Sequence, residues 1–221
     1  MEFYGLPGSG KSTTAKIVAE GLRQKGYDVK EPSAEIDGYA AFRRVVTKAV
    51  RAVVFYLTHP DILCEAKMLV HRNGYARFGV WPQMVNIAQK LLAYHGNVEP
   101  CVYVWDEGIV QAAISLSVGG TVVSSDNEQW FRTHIPNGPI VIKIYLETPL
   151  EIVGKRLANR NDGQSRVERE QDETKKAELL RKFETACEEI GEPCCHIKTN
   201  NRKPEEIASL VQKAIERMLL G

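Results

Sequence analysis

The sequence predicts an α/β fold of three layers, in which a parallel sheet lies between helices on both faces. Short apolar runs of strand length alternate with amphipathic helical patterns, which is typical of such folds. Two of the runs, Cys101–Trp105 (CVYVW) and Ile140–Leu146 (IVIKIYL), are apolar almost throughout, as expected for strands covered on both faces. A glycine-rich turn, Gly5–Ser12, stands between the first predicted strand and the first predicted helix.

The individual elements follow from apolar spacing and from the residues that end them. Five runs are predicted as strands: Met1–Tyr4, Tyr27–Lys30, Cys101–Trp105, Ile140–Leu146 and Cys194–Lys198. Nine segments are predicted as helices: Ser12–Lys25, Tyr39–Leu57, Ile62–Arg72, Pro82–Tyr94, Ile109–Val118, Ser125–His134, Pro149–Asn159, Glu173–Ile190 and Pro204–Leu220. Because ligands of parallel sheets bind beyond the carboxyl ends of the strands, the residues that follow each strand are the first candidates for a site.

Length and composition indicate one globular domain over residues 1–221. With 43% hydrophobic and 26% charged residues, the chain is neither disordered nor fibrous. The net charge of +1 argues against binding of a long nucleic acid. The five cysteines are odd in number and lack C-x-x-C spacing, so we expect reduced thiols and a cytoplasmic location. No run of 18 apolar residues occurs, which predicts no membrane span.

The turn GLPGSGKS, Gly5–Ser12, matches the pattern G-x-x-x-x-G-K-[ST] in full. Its glycines allow successive backbone N–H groups to face phosphate oxygens, and the following helix adds its positive N-terminal end. Lys11 is expected to bridge the β and γ phosphates of a nucleoside triphosphate, and the Ser12 hydroxyl to bind Mg²⁺. The predicted nucleotide-binding residues here are Gly5, Pro7, Gly8, Ser9, Gly10, Lys11, Ser12 and Thr13.

Asp106 directly follows the predicted strand Cys101–Trp105. A carboxylate at the end of a buried strand beside a phosphate-binding turn is the kind of group that binds Mg²⁺, directly or through water. The same residue is also suited to cap a helix that begins near Gly108. Ser12 and Asp106 are therefore the predicted metal ligands, while the role of Glu107 stays open.

A basic cluster follows the fourth predicted strand. Arg156 and Arg160 are four residues apart on one face of a predicted helix, and Arg166 lies in the polar stretch behind them. Guanidinium groups on such a stretch can close over a triphosphate and neutralise charge on the transferred group. We therefore predict a lid over residues 156–173, with a solvated, salt-bridged helix end as the alternative.

These features together resemble a known family. The motif GLPGSGKSTT, the pair Glu31-Pro32, the acidic strand end at Asp106 and the spacing of Arg156 and Arg160 are similar to those of the nucleoside and nucleotide kinases, thymidylate-kinase-like members especially. The resemblance covers both ends of the chain and is weak between about Gly38 and Pro100. Asp106 is followed by Glu107, where these families usually have an arginine, so the acceptor is left unspecified.

The resemblance implies a P-loop fold with a five-stranded parallel sheet in the order 2-3-1-4-5, a lid, and phosphoryl transfer from ATP with Mg²⁺ to a small-molecule acceptor. It makes Lys11, Arg156 and Arg160 stabilisers of phosphate charge, with one lid arginine also near the adenine. Glu31 matches a carboxylate that takes the proton of an acceptor hydroxyl; with a phosphate acceptor, no base is needed. Asn201, after the last strand, is a further candidate contact for the nucleotide. A homodimer is left open.

Residues 38–100 are predicted to be a helical region that binds the acceptor. Arg43, Arg44, Lys48 and Arg51 make one side of a helix basic, which fits either an anionic acceptor or a solvated face. A second group of arginine, aromatic and amide side chains surrounds a helix break and is suited to a planar or sugar-like ligand, or to plain core packing. Its members are Arg72, Arg77, Phe78, Trp81, Gln83 and Asn86.

Two other classes compete with a small-molecule kinase. One is a P-loop ATPase that uses hydrolysis to switch a partner. A GTPase would need N-K-x-D, which is absent, and an ABC-type ATPase would need a signature loop before its acidic strand, whereas LSVGG comes after Asp106. The other class is a kinase that acts on a glycan unit or on the end of a polynucleotide.

Overall fold

The structure is a computed structural model that describes residues 1–32, 41–76, 79–95, 101–135, 141–159, 165–200 and 202–220. The strands in these ranges are β1 (Glu2–Tyr4), β2 (Val29–Lys30), β3 (Val102–Tyr103), β4 (Lys143–Glu147) and β5 (Cys195–Lys198). The helices are α1 (Lys11–Gln24), α2 (Ala41–Thr58), α3 (Pro60–Arg72), α4 (Val80–His95), α5 (Ile109–Ser117), α6 (Ser124–Thr133), α7 (Leu150–Ala158), α8 (Arg166–Arg169), α9 (Glu173–Glu188) and α10 (Pro204–Leu220).

The predicted five-stranded sheet in the order 2-3-1-4-5 is wrong. The described strands form two separate parallel sheets, a three-stranded one in the order β1-β4-β5 and a two-stranded one of β2 and β3. Within the described residues, an isolated parallel bridge between Glu2 and Trp105 is what joins them. Of the described residues, 65% are helical, so helices and not a broad sheet make up most of the described fold.

The backbone hydrogen bonds show where each ladder between the short strands ends. Val104 donates to the Lys30 carbonyl at 2.9 Å, and the next rung of this ladder would need an N–H from Pro32, which has none. Beside β1, Trp105 donates to the Met1 carbonyl at 2.9 Å and Phe3 donates to the Trp105 carbonyl at 2.8 Å. This ladder goes no further, because the N–H of Gly5 donates to the Gln111 side chain at 3.2 Å. An apolar run such as Cys101–Trp105 predicts burial, but a continuous ladder also requires a donor at every second residue.

Two hydrophobic cores lie against the short strands. Successive side chains of β1 enter different cores, since Phe3 packs with α1 and α10 while Tyr4 packs with the larger helical group. The first core includes Val18 of α1 and Val211 of α10, both fully buried. Because α1 packs on β1 along its apolar face, the turn between them is held at the edge of the three-stranded sheet.

The described helices include none that is both long enough and apolar enough to cross a bilayer. All five cysteines are free, as the sequence predicted. Burial raises the pKa of the Cys187 thiol to about 12, although the nearby Lys11 ammonium acts in the opposite direction. Cys187 is therefore protonated at neutral pH and contributes to the core as a small apolar side chain.

A buried pair of amides joins α3 to α6. The Asn73 amide donates to Asn127 Oδ1, and the Asn127 amide donates back to Asn73 Oδ1, each at 2.9 Å. Asn127 also donates to the Ser117 hydroxyl at 2.8 Å. Both asparagines are fully buried, so their hydrogen bonds replace those that water would otherwise make.

We expect Asn127→Ala to lower the free energy of unfolding by ~2–4 kcal/mol, because it leaves the buried amide of Asn73 and the hydroxyl of Ser117 without one partner each. Urea unfolding followed by circular dichroism measures this change. Gln129→Ala, an exposed position on the same helix, is the matched control. Equal stability of the two variants would contradict a structural role for the amide pair.

Candidate functional site

The turn Gly5–Ser12, called the glycine loop below, connects β1 to α1. Gly5 has a φ of 148°, and a Cβ placed on it would lie 2.6 Å from the Leu146 carbonyl oxygen. Gly10 is the N-cap of α1 with a φ of 94°, in the left-handed region that favours glycine. The local sequence thus bends the backbone back on itself at the start of a helix, where an anion is bound most favourably.

Lys11 is the first residue of α1, and its side chain is folded back over the glycine loop. Its ammonium group donates to the carbonyls of Gly5 at 3.0 Å and Leu6 at 2.9 Å. The residue is only 8% exposed. A cation is therefore held against the loop backbone, and the first turn of α1 contains no acidic residue that would oppose an anion.

Arg156, near the end of α7, reaches the same loop. Its guanidinium donates to the carbonyls of Gly8 and Ser9, each at 3.3 Å. A Cβ on Gly10 would lie 3.8 Å from this guanidinium. The structure thus brings together Lys11 and Arg156, two of the residues that the sequence selected from opposite halves of the chain.

The ends of β4 and β5 also meet the glycine loop. Thr148, directly after β4, donates to the Ser9 carbonyl at 3.5 Å and shares a 2.7 Å hydrogen bond with the Thr199 hydroxyl after β5. Ser9 is fully buried, and no described group forms a hydrogen bond with its Oγ. Sequence reasoning selected the strand ends but not the loop contact of Gln111, whose signal would have been a polar residue inside the apolar helix IVQAAISL.

Asp106 follows the bridge that joins the two sheets. One of its carboxylate oxygens, Oδ1, is buried without a hydrogen-bond partner among the described residues. Asp106 does not cap helix α5, because the N-cap of this helix is Gly108 and no side chain caps it. A buried carboxylate oxygen without a partner is costly, and a bound cation would relieve that cost.

The carboxylate at the start of α5 comes from Glu2 instead. This residue is 1% exposed, accepts a hydrogen bond from the Val110 N–H at 2.9 Å, and accepts another from the Tyr94 hydroxyl. Burial and the Glu2 carboxylate both raise the pKa of Tyr94 well above its ordinary value. Glu2 was missed because a single acidic residue in an apolar strand gives no local signal of its partner.

Glu31 forms an ion pair on the outer side of α1. Its carboxylate lies 2.8 Å from the Arg23 guanidinium, which also donates to the Val29 carbonyl at 3.1 Å. The side chains of Arg43 and Arg44 lie outside the described residues. Glu31 also lines an open cavity of about 570 Å³, together with Lys16, Ile17, Glu20, Gly21, Arg23, Gln24 and Gln212.

The strand register places Glu31 away from the glycine loop. Lys30 lies opposite Tyr103, and Glu2 lies opposite Trp105. Glu31 is therefore level with the residue before Glu2, at the amino end of β1. At ~3.3 Å per residue, the start of the glycine loop is on the order of 13 Å further along this strand. The structure does not bring Glu31 to the residues around Lys11.

Glu31→Gln tests the predicted role as a base. Because the carboxylate is occupied by Arg23 and its loss removes a partly exposed ion pair, we expect the maximal rate at saturating acceptor to change by less than about fivefold. Steady-state kinetics measures this change in maximal rate. Glu20→Gln, at a residue that lines the same cavity, is the control. A fall of ~100-fold at unchanged apparent ATP affinity would instead show that Glu31 takes the acceptor proton.

Part of the predicted lid lies outside the described residues, including Arg160; Asn201 lies outside them as well. The described remainder contains α8, which starts with a capping box of Ser165 and Glu168. Arg166 donates to the Tyr75 hydroxyl at 2.6 Å and to the Ser115 carbonyl at 2.7 Å. Burial raises the pKa of Tyr75, and the Arg166 charge lowers it in part. Arg166 therefore attaches the end of the predicted lid to α5 and to the turn after α3.

The predicted acceptor region, residues 38–100, is described only in part. Arg77 and Phe78 lie outside the described residues, so the structure describes only some members of the cluster around the helix break. Trp81 is 48% exposed at the start of α4, which does not fit a plain core residue. Arg72 is exposed as well. The region stays a prediction.

A scan against protein-family models finds no match for this chain. Among the described residues, no group of three or more His, Cys, Asp and Glu side chains is arranged to hold a metal ion. Any inference about function therefore depends on the geometry of the glycine loop and of the side chains that contact it.

Proposed function

We propose that this chain is an ATP-dependent kinase that transfers the γ-phosphate of ATP to a small-molecule acceptor, a hydroxyl or phosphate of a nucleoside, nucleotide or related metabolite. The observation that carries the proposal is the glycine loop, bent back at the N-terminus of α1 with Lys11 and Arg156 held on its carbonyls. Backbone N–H groups, a helix N-terminus and two cations in one place are suited to a triphosphate.

ATP fits this arrangement through a rearrangement of existing contacts. Lys11 donates to two loop carbonyls, and the same ammonium group would turn to the β and γ phosphates on binding. Arg156 is already fixed beside Gly8 and Ser9, so its charge can stabilise the phosphate oxygens without further ordering. Gly5, Pro7 and Thr13 complete the proposed phosphate-binding turn.

The residues that would hold Mg²⁺ are Ser12, whose side chain is exposed at the end of the loop, and Asp106, whose Oδ1 has no partner among the described residues. Magnesium is usually held by one or two protein ligands together with phosphate oxygens and water, so this small donor set fits it. When bound, the ion neutralises charge on the β and γ phosphate oxygens.

In the proposed reaction an acceptor oxygen attacks the γ-phosphorus, and the bond from that phosphorus to the β–γ bridging oxygen breaks to release ADP. A hydroxyl acceptor also loses a proton, which a base must receive, whereas an ionised phosphate acceptor needs no base. Lys11 and Arg156 act on the charge of the phosphoryl group in both cases. The position of Glu31 leaves Asp106 and Glu107 as the carboxylates to test for proton transfer.

An ADP-release screen over nucleosides, nucleotides, sugars and oligonucleotides tests the proposal, with Lys11→Ala protein as the blank. We expect ADP to form with one acceptor class and not without it. Turnover with sugars or oligonucleotides alone would move the acceptor to a glycan or a polynucleotide end. ADP formed equally with and without every acceptor would contradict the kinase and favour an ATPase switch.

A further inference from the structure

Gln111 is a buried amide in α5, a helix whose other side chains are mostly apolar (IVQAAISLS). The residue is only 6% exposed, and its Oε1 accepts a hydrogen bond from the Gly5 N–H at 3.2 Å. Burial of an amide among apolar side chains costs free energy unless hydrogen bonds replace those that water would make. The contact with the glycine loop is therefore what a glutamine supplies at this position and an apolar residue would not.

The Gly5 peptide is held from two sides. Gln111 accepts from its N–H, while its carbonyl accepts from the Lys11 ammonium at 3.0 Å. In the proposed nucleotide complex the ammonium group turns from this carbonyl to the phosphates, and of these two contacts only that of Gln111 would remain. Gln111 thus keeps the start of the glycine loop in place while Lys11 moves.

The first turn of α5 also adjoins the segment that carries Asp106. The N-cap of this helix, Gly108, comes two residues after Asp106 and three residues before Gln111. The same turn is fixed to the start of β1, because the Val110 N–H donates to the Glu2 carboxylate at 2.9 Å. Since a helical turn is rigid, its hydrogen bond to the glycine loop limits the distance between that loop and Asp106.

We propose that Gln111 is a positioning residue for the proposed phosphoryl transfer. It holds the glycine loop, together with Lys11, at the distance from Asp106 at which one triphosphate and its magnesium ion contact both. The inference rests on the proposed function. Gln111 acts through the Gly5 peptide, so the binding of ATP and Mg²⁺ depends on it and the binding of the acceptor does not.

Gln111→Met tests this role, because it keeps the length of the side chain and replaces the amide with a thioether, a weak acceptor. Hydrogen exchange followed by NMR, without nucleotide, should show a protected Gly5 amide in the wild type. In Gln111→Met this amide should exchange ~10-fold faster or more, while the amides of β4 keep their rates.

A titration with ATP and Mg²⁺ gives the second measurement. We expect the dissociation constant of ATP to rise ~10-fold or more in Gln111→Met, because the loop is no longer held in its binding conformation. In steady-state kinetics, the KM for ATP and the half-saturating Mg²⁺ concentration should rise with it. The KM for the acceptor should stay unchanged.

Ser117→Ala is the matched control on the same helix. Ser117 is buried and its hydroxyl donates to the Ala113 carbonyl at 3.1 Å, so the variant loses a buried polar group without touching the glycine loop. We expect its KM for ATP to equal that of the wild type. A merely structural role for Gln111 would make both variants alike, with less folded protein and a lower maximal rate at unchanged KM values.

A Gly5 amide that exchanges freely in the wild type would overturn the inference, and so would a folded Gln111→Met protein that binds ATP as the wild type does. Both results leave the proposed kinase standing. If Gln111→Met does not fold, Gln111→Asn, which is one methylene shorter and still polar, is measured in its place. A wild-type chain that binds no ATP in the titration would overturn the proposed function and this inference with it.

Discussion

Lys11→Ala is expected to lower kcat by ~100–1,000-fold, because one cationic contact to the transferring phosphoryl group contributes ~3–4 kcal/mol to transition-state stabilisation. The ammonium group is held 2.9–3.0 Å from two loop carbonyls, so it is positioned before the nucleotide arrives. ADP release at saturating ATP and acceptor measures the change. A parallel titration of ATP binding shows whether the affinity for ATP falls together with kcat.

The control is Lys16→Ala, an exposed lysine further along the same helix. It removes the same charge without touching the glycine loop, so we expect activity close to the wild type. Because Lys11 is buried, circular dichroism must show that Lys11→Ala retains its helices. A folded Lys11→Ala protein with more than about a tenth of wild-type turnover would contradict this role for the lysine, since that loss is only ~1.4 kcal/mol.

Asp106→Asn is expected to lower kcat by about 100-fold or more and to raise the Mg²⁺ concentration needed for half-maximal rate, because a neutral amide is a weak ligand for magnesium. The substitution keeps the shape of the side chain. It should leave the fold intact, because the N-cap of α5 is Gly108 and Glu2 accepts the Val110 N–H of its first turn.

Glu107→Gln is the neighbouring control. Its side chain is exposed, and its backbone carbonyl, which the Lys90 ammonium contacts, is unchanged by the substitution. We expect a rate near that of the wild type and an unchanged Mg²⁺ dependence. The reverse pattern, with Glu107→Gln inactive and Asp106→Asn active, would move the catalytic carboxylate to Glu107.

The helices were predictable because their pattern is local. Apolar spacing and the residues at the ends of helices placed α1 and α10 within one or two residues of their observed bounds. The extent of the sheet was not predictable in the same way, since the ladder between β1 and β3 ends where the N–H of Gly5 donates to the Gln111 side chain. A contact between residues so far apart in the chain cannot be read from hydrophobicity.

In the candidate site too, the features that depend on local sequence were predictable and those that depend on distant contacts were not. The glycine loop is a contiguous motif, so its residues could be named from the sequence. Arg156 was selected as a stabiliser of phosphate charge, but its contacts with the carbonyls of Gly8 and Ser9 were not predicted. Glu31 was selected by its position after a strand, but its level in the sheet depends on register, which the sequence does not define. The buried cap from Glu2 depends on a contact across more than a hundred residues.

The most direct test of the proposed function follows the label from [γ-³²P]ATP. Wild-type protein is incubated with the labelled ATP, Mg²⁺ and the acceptors of the screen, and the products are separated by thin-layer chromatography, with Lys11→Ala as the blank. The proposed function predicts label in an organic product that forms only when the acceptor is present. Label found solely as inorganic phosphate, at the same rate with and without acceptor, would contradict it.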